Sequence, residues 1–226
     1  MQPWKAGGRR ISRGQRAGRC IDQMNHRNAD FYLASASPRR RDLLLQLGYS
    51  FAVLPVAIDE LAHAGESAEA FVCRTAIRKA MAGWRLVEPG IVRPVLGADT
   101  VVVVDGQILG KPEDAADAAR MLELLSGRTH RVLTAVAVTA GAPPQTVLSE
   151  TGVQFRSIET HEICDYWATG EPCDKAGAYA IQGLAAAFVA RIEGSYSGVV
   201  GLPLFETHNL LRSFGVQGWQ GGRAVR

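Results

Sequence analysis

One run constrains this chain more than any other: Val95-Leu96-Gly97-Ala98-Asp99-Thr100-Val101-Val102-Val103-Val104. β-branched residues at this density favour a strand over a helix. Pro94 precedes the run, and Asp105-Gly106 reads as a hairpin turn into Gln107-Ile108-Leu109. In its middle stands a single acid. A carboxylate between Leu96 and four valines loses its hydration unless it is paired or ligates a metal. Two readings of Asp99 stand: a general base or metal ligand, or a strand-end carboxylate bonded to backbone.

Around this run, strands and helices alternate. Residues 31–34 form a short apolar strand, after which Ser37 is a good N-cap and Pro38 fits the first helical position. The helix that follows places Leu43, Leu44 and Leu47 on one face and closes at Gly48. Residues 51–54 read as a strand and 67–87 as a long helix with Phe71, Ile77, Ala80, Met81 and Trp84 near helical spacing. Further helices are expected over 113–125, 159–168 and 203–214, and strands over 132–139, 146–155, 188–192 and 197–200. Such interleaving, with a hairpin inside it, predicts an α/β fold with a mixed sheet. Gly141-Ala142-Pro143-Pro144 reads as a surface loop within one domain spanning 29–216, with 217–226 a flexible C-terminal tail.

Apolar residues make up 47% of the 226 and charged residues 21%, which excludes a disordered or fibrous chain. No apolar run approaches the ~20 residues of a membrane span. The formal charge of +3 is unevenly placed. Lys5, Arg9, Arg10, Arg13, Arg16 and Arg19 face only Asp22 in the first 23 residues, so the rest of the chain is net −2. Residues 1–28 are rich in Gly and Arg, lack apolar periodicity and lack the apolar stretch of a secretory signal. They are expected to be a disordered basic extension, with Met24 just before the first strand-like segment; a transit peptide or a nucleic-acid arm are the other readings. Cys20, Cys73, Cys164 and Cys173 form no CxxC pair or zinc spacing, so reduced thiols and a cytoplasmic location are expected.

Chemistry could sit in four places. In Ser35-Ala36-Ser37-Pro38-Arg39-Arg40-Arg41 a helix begins with three cations in its first turn, where the dipole disfavours them. An anion such as phosphate would reconcile the two. Asp59-Glu60 could add a second carboxylate to that of Asp99. Gly110-Lys111-Pro112 is no P-loop, since only three residues separate Gly106 from Gly110 and Pro follows the Lys. Lys111 could still reach phosphate, whereas Lys79 on an amphipathic helix reads as a surface residue. In Asp174-Lys175-Ala176-Gly177-Ala178-Tyr179-Ala180-Ile181-Gln182-Gly183, small residues allow close approach and Gln182 offers a donor and an acceptor.

Taken in order, SASPRRRDLL, GADTVV with its following GKP, LSGRTH, DKAGAYAIQG and VVGLPL resemble the Maf family of nucleoside triphosphate pyrophosphatases. DKAGAY followed by IQG is similar to the branch that cleaves dTTP and UTP. The resemblance spans about residues 32–214. It implies an elongated mixed sheet with flanking helices and a central cleft, similar to inosine triphosphate pyrophosphatases, and hydrolysis to nucleoside monophosphate and pyrophosphate. It makes Asp99 the catalytic proton acceptor. Ser37, Arg40, Lys79, Lys111 and Glu60 would bind the triphosphate, and Arg39, Thr100 and Gln182 would select the base. Glu60 and Asp99 are the metal ligands it suggests, for Mg²⁺ or Mn²⁺. The expected partner is a small nucleoside triphosphate rather than nucleic acid or membrane, with a homodimer left open. Other readings are a pyrophosphatase for modified or methylated nucleotides, and a non-catalytic regulator of cell division. Ala180 stands where the family usually has Gly, and a positive φ there would cost roughly 1 kcal/mol. Deleting residues 1–23 is expected to leave turnover unchanged.

Overall fold

A computed structural model describes residues 29–90 and 92–219; the basic extension over 1–28 and residues 220–226 lie outside it. Its centre is a seven-stranded mixed sheet of order β2-β1-β3-β5-β6-β7, with β4 paired to β3 beside β1. The strands are β1 (Phe31–Leu33), β2 (Phe51–Val53), β3 (Val95–Val104), β4 (Gln107–Leu109), β5 (Thr129–Thr139), β6 (Gln145–Phe155) and β7 (Val189–Glu193). The helices are α1 (Pro38–Gln46), α2 (Ala68–Trp84), α3 (Ala115–Leu125), α4 (Thr160–Ala168), α5 (Tyr196–Val200) and α6 (Leu204–Ser213).

The valine-rich run is the backbone of this sheet. β3 runs antiparallel to β5 along almost its whole length, from Val95 opposite Thr139 to Val103 opposite Arg131. Its other edge is shared. β1 pairs in parallel with Val95 and Leu96 only, and β4 pairs antiparallel from Val102 onward. Between them the edge of β3 from residue 97 to 101 has no neighbouring strand among the described residues, and the chain leaving β1 diverges there from the chain leaving β4. Clefts of α/β sheets form where neighbouring strands part in this way.

Period-2 alternation then sorts β3 onto two faces. Val101 and Val103 pack with Val72, Ala76 and Ala80 of α2, while Leu96 and Ala98 join Leu44, Leu202 and Leu211 on the opposite face. Val102 and Val104 enter a third cluster with Leu122, Phe155 and Tyr166. Helix α2 begins where Ser67 accepts a hydrogen bond from the Ala70 N–H at 3.2 Å. Its buried stripe, Val72, Thr75, Ala76, Lys79, Ala80 and Gly83, has spacings of three and four. Lys79 therefore faces the sheet, not solvent.

Gly97 makes that approach close. A Cβ there would collide with the backbone N of Ala80 and the carbonyl of Ala76. Gly97→Ala is therefore expected to destabilise the fold by about 3 kcal/mol, read as a lower denaturation midpoint with an unchanged slope.

Two local expectations differ from what forms. Residues 197–200 lie in helix α5, because Ser195 caps it by accepting from the Gly198 N–H at 3.0 Å. A short Val-Val run is compatible with either state, and the cap decides. Residues 217–219 are not a loose tail. The Trp219 N–H donates to the Leu47 carbonyl at 3.2 Å and its indole stacks on His208 with centroids 5.0 Å apart.

Candidate active site

The strand gap opens into a cleft of about 360 Å³, within the range of small-molecule sites. It is lined by the segment from β1 into α1, by Glu60 and Lys79, by Thr100, by Lys111 after β4, and by residues 174–176 and 179–182. Arg39, Arg40, Lys79, Lys111 and Lys175 bring five cationic side chains to it, against the carboxylates of Glu60 and Asp174. Such a wall selects an anion.

Ser37 caps α1 by its backbone only, since its side chain makes no capping hydrogen bond. The hydroxyl and the first-turn N–H groups beside the cleft are the parts that bind anions at helix N-termini. Arg40 is buried and held by three donors: Nε to the Gly201 carbonyl at 2.8 Å, Nη1 to Ser35 at 3.2 Å and Nη2 to the Thr100 hydroxyl at 3.2 Å. A guanidinium has five N–H groups, so two stay available for a ligand. Thr100 in turn meets the Thr134 hydroxyl at 3.0 Å, which places it as a support for Arg40. Arg39 lies 3.7 Å from Asp174 at the rim.

Asp99, only 7% exposed, is buried beside Arg40 and Lys79. Lys79 Nζ stands 2.8 Å from Asp99 Oδ1 and 2.8 Å from Glu60 Oε1. The Lys79 ammonium, not Asp99, faces the cleft. Burial raises the Asp99 pKa from its ordinary value, opposed by the charge and hydrogen bond of Lys79 and by the charge of Arg40. A buried carboxyl with a raised pKa is a stronger base than one in water. Asp59, adjacent to Glu60, turns away and accepts from the Leu61 N–H at 3.1 Å.

The segment between the cleft-lining residues 176 and 179 has its own strain. Positive φ falls on Gly177 (67°) and Ala178 (58°), not on Ala180. The expected penalty therefore belongs to Ala178, two residues before the departure in sequence.

This arrangement, a cationic cleft beside a buried carboxylate, coincides with a family pattern over nearly the whole described chain. The family model described as Maf-like protein matches residues 30–214. This chain belongs to the Maf family.

Among its relatives, a protein named dTTP/UTP pyrophosphatase from Saccharophagus degradans is 53% identical over 195 residues, covering 85% of this chain and 92% of that one. A protein of the same name from Salmonella typhimurium is 54% identical over 183 residues, covering 81% and 92%. A solved structure, the Staphylococcus aureus Ham1 protein, is similar at 10% identity and a TM-score of 0.38 over 55% of this chain and 71% of that one. That last likeness is too distant to carry function.

In this Maf domain the cleft gathers Ser37, Arg39, Arg40, Glu60, Lys79, Thr100, Lys111 and Gln182, with Asp99 directly behind Lys79. Ser35, Asp174, Lys175 and Tyr179 also line it, and spacing alone marks none of them as a site residue. The SASPR and DKAGAY segments held that signal, but only the fold shows which of their side chains point inward. Among the described residues no group of three or more His, Cys, Asp or Glu is placed to hold a metal, and no helix is long and apolar enough to cross a membrane.

Proposed function

We propose that this Maf chain hydrolyses dTTP and UTP to the nucleoside monophosphate and pyrophosphate. The observation that carries the reading is the five-cation cleft placed over the buried, lysine-covered carboxylate of Asp99. Relatives at 53–54% identity named for this activity support the choice of nucleotide.

The triphosphate lies between the α1 N-terminus, Arg40 and Lys111, whose charges offset that which builds on the phosphate oxygens. Lys79 exchanges a carboxylate partner for a phosphate oxygen, which uncovers Asp99. The Asp99 carboxylate then accepts a proton from the water that attacks the α-phosphorus, and pyrophosphate leaves. Gln182, exposed at the rim, presents its amide to the base.

A divalent ion fits this donor set. Glu60 and Asp99 already converge on one cationic nitrogen at 2.8 Å each, and Mg²⁺ is commonly held by one or two carboxylates plus substrate phosphates. Glu60 and Asp99 would hold it, and when bound it would supply Lewis-acid charge to the phosphates.

The test is pyrophosphate release from a panel of normal, methylated and modified triphosphates with Mg²⁺ or Mn²⁺. Release from dTTP and UTP ahead of the others is expected. Release from none of the panel would sink the enzymatic reading and favour the non-catalytic regulator.

A further inference from the structure

The loop that presents Gln182 is fastened from behind chiefly by two side chains outside the cleft, Tyr166 and Glu171. Tyr166 of α4 is buried, and its hydroxyl donates to Glu171 Oε1 at 2.8 Å while accepting from the Ala180 N–H at 3.1 Å. The Glu171 carboxylate accepts from the Leu184 N–H at 3.1 Å and from the Ala185 N–H at 3.4 Å. It also fills the space that a Cβ on Gly183 would need. One phenol and one carboxylate thus clamp backbone on both sides of Ile181-Gln182. A third anchor precedes them: the Tyr179 hydroxyl meets His130 Nε2 at 2.8 Å in an apolar cluster with Phe155.

Such a clamp has a functional consequence. A side chain that reads a base by hydrogen bonds discriminates only if its backbone cannot shift to suit the wrong one. The loop has short 3₁₀ turns on either side, Ala176–Ala178 and Leu184–Phe188, and no strand pairing of its own over 179–183. Its position therefore depends on these side chains.

We propose that Tyr166 and Glu171 are positioning residues for base selection, acting through the Ala180, Leu184 and Ala185 amides to fix where Gln182 meets the base. The inference rests on the cleft being a pyrimidine nucleotide site. Neither residue lines the cleft, so loosening them relaxes selectivity and leaves the chemical step intact.

The experiment compares kcat and KM for UTP and CTP in the full-length wild type, Tyr166→Phe, Glu171→Gln and Tyr49→Phe. Tyr166→Phe keeps the buried ring and deletes only the hydroxyl. Tyr49→Phe deletes a comparable hydroxyl hydrogen bond, to His208 at 2.8 Å, away from the cleft. The ratio of kcat/KM for UTP over CTP is expected to fall about tenfold in the first two variants, through KM, with kcat for UTP within about twofold. It should hold in Tyr49→Phe. An unchanged ratio in both clamp variants, or an equal fall in Tyr49→Phe, overturns the inference while the nucleotide reading survives. A wild type that releases no pyrophosphate from UTP instead overturns the nucleotide reading, and this inference with it.

Discussion

Replacing Asp99 with asparagine is expected to lower kcat by about 10³-fold while leaving the protein folded. Two physical facts separate the effects. Asparagine keeps the shape, and it keeps an oxygen for Lys79 Nζ, which also retains Glu60 at 2.8 Å. What it cannot do is accept the proton of an attacking water. Stability should change little or rise, because burial makes the ionised form of Asp99 unfavourable in the fold. The sign follows from linkage. A carboxyl whose folded pKa is raised contributes stability below its unfolded pKa and loses it as pH rises through the folded value. At neutral pH the wild type bears that cost and the amide does not. Melting curves and steady-state rates at the same pH check both halves.

The second large effect is expected at Arg40. Arg40→Met leaves the Gly201 carbonyl without its donor and removes the bonds to Ser35 and Thr100. A buried acceptor so abandoned, together with the lost charged hydrogen bonds, costs about 3 kcal/mol, or roughly 9 °C in melting temperature for a domain of this size. Substrate affinity should fall as well, by about 100-fold, since two remaining N–H groups and a positive charge leave the cleft. Arg40→Lys distinguishes the two roles. It restores charge but not the fork that reaches three acceptors, so KM should recover further than stability. Equal recovery of both would contradict a structural role for the guanidinium.

The sequence made the local elements readable where spacing and caps agree. Ser67 and the apolar residues that follow mark α2, and Pro94 and Asp105-Gly106 bracket β3. Lys79 is ambiguous in the sequence for a definite reason. A lysine on an amphipathic helix reads as solvated unless its position on the buried stripe is certain, and here Thr75 and Gly83 belong to that stripe. Residues 197–200 show the limit of pattern, because a five-residue apolar helix and a short strand share one composition. Long-range features were out of reach altogether. The bond from Arg40 to Gly201 spans 161 positions, and the docking of Trp219 on His208 depends on α6 and the end of α1 lying side by side. The cleft itself arises from a mismatch of pairing along β3, which no periodicity encodes.

In the proposed reaction Asp99, with Lys79 and Glu60 beside it at 2.8 Å contacts, serves a water that attacks the α-phosphorus and not the β-phosphorus. Hydrolysis of UTP in water enriched in oxygen-18, with mass spectrometry of both products, reads that position directly. The label is expected in the uridine monophosphate and absent from pyrophosphate. Label in pyrophosphate would mean attack at the β-phosphorus, and would contradict the role given to Asp99.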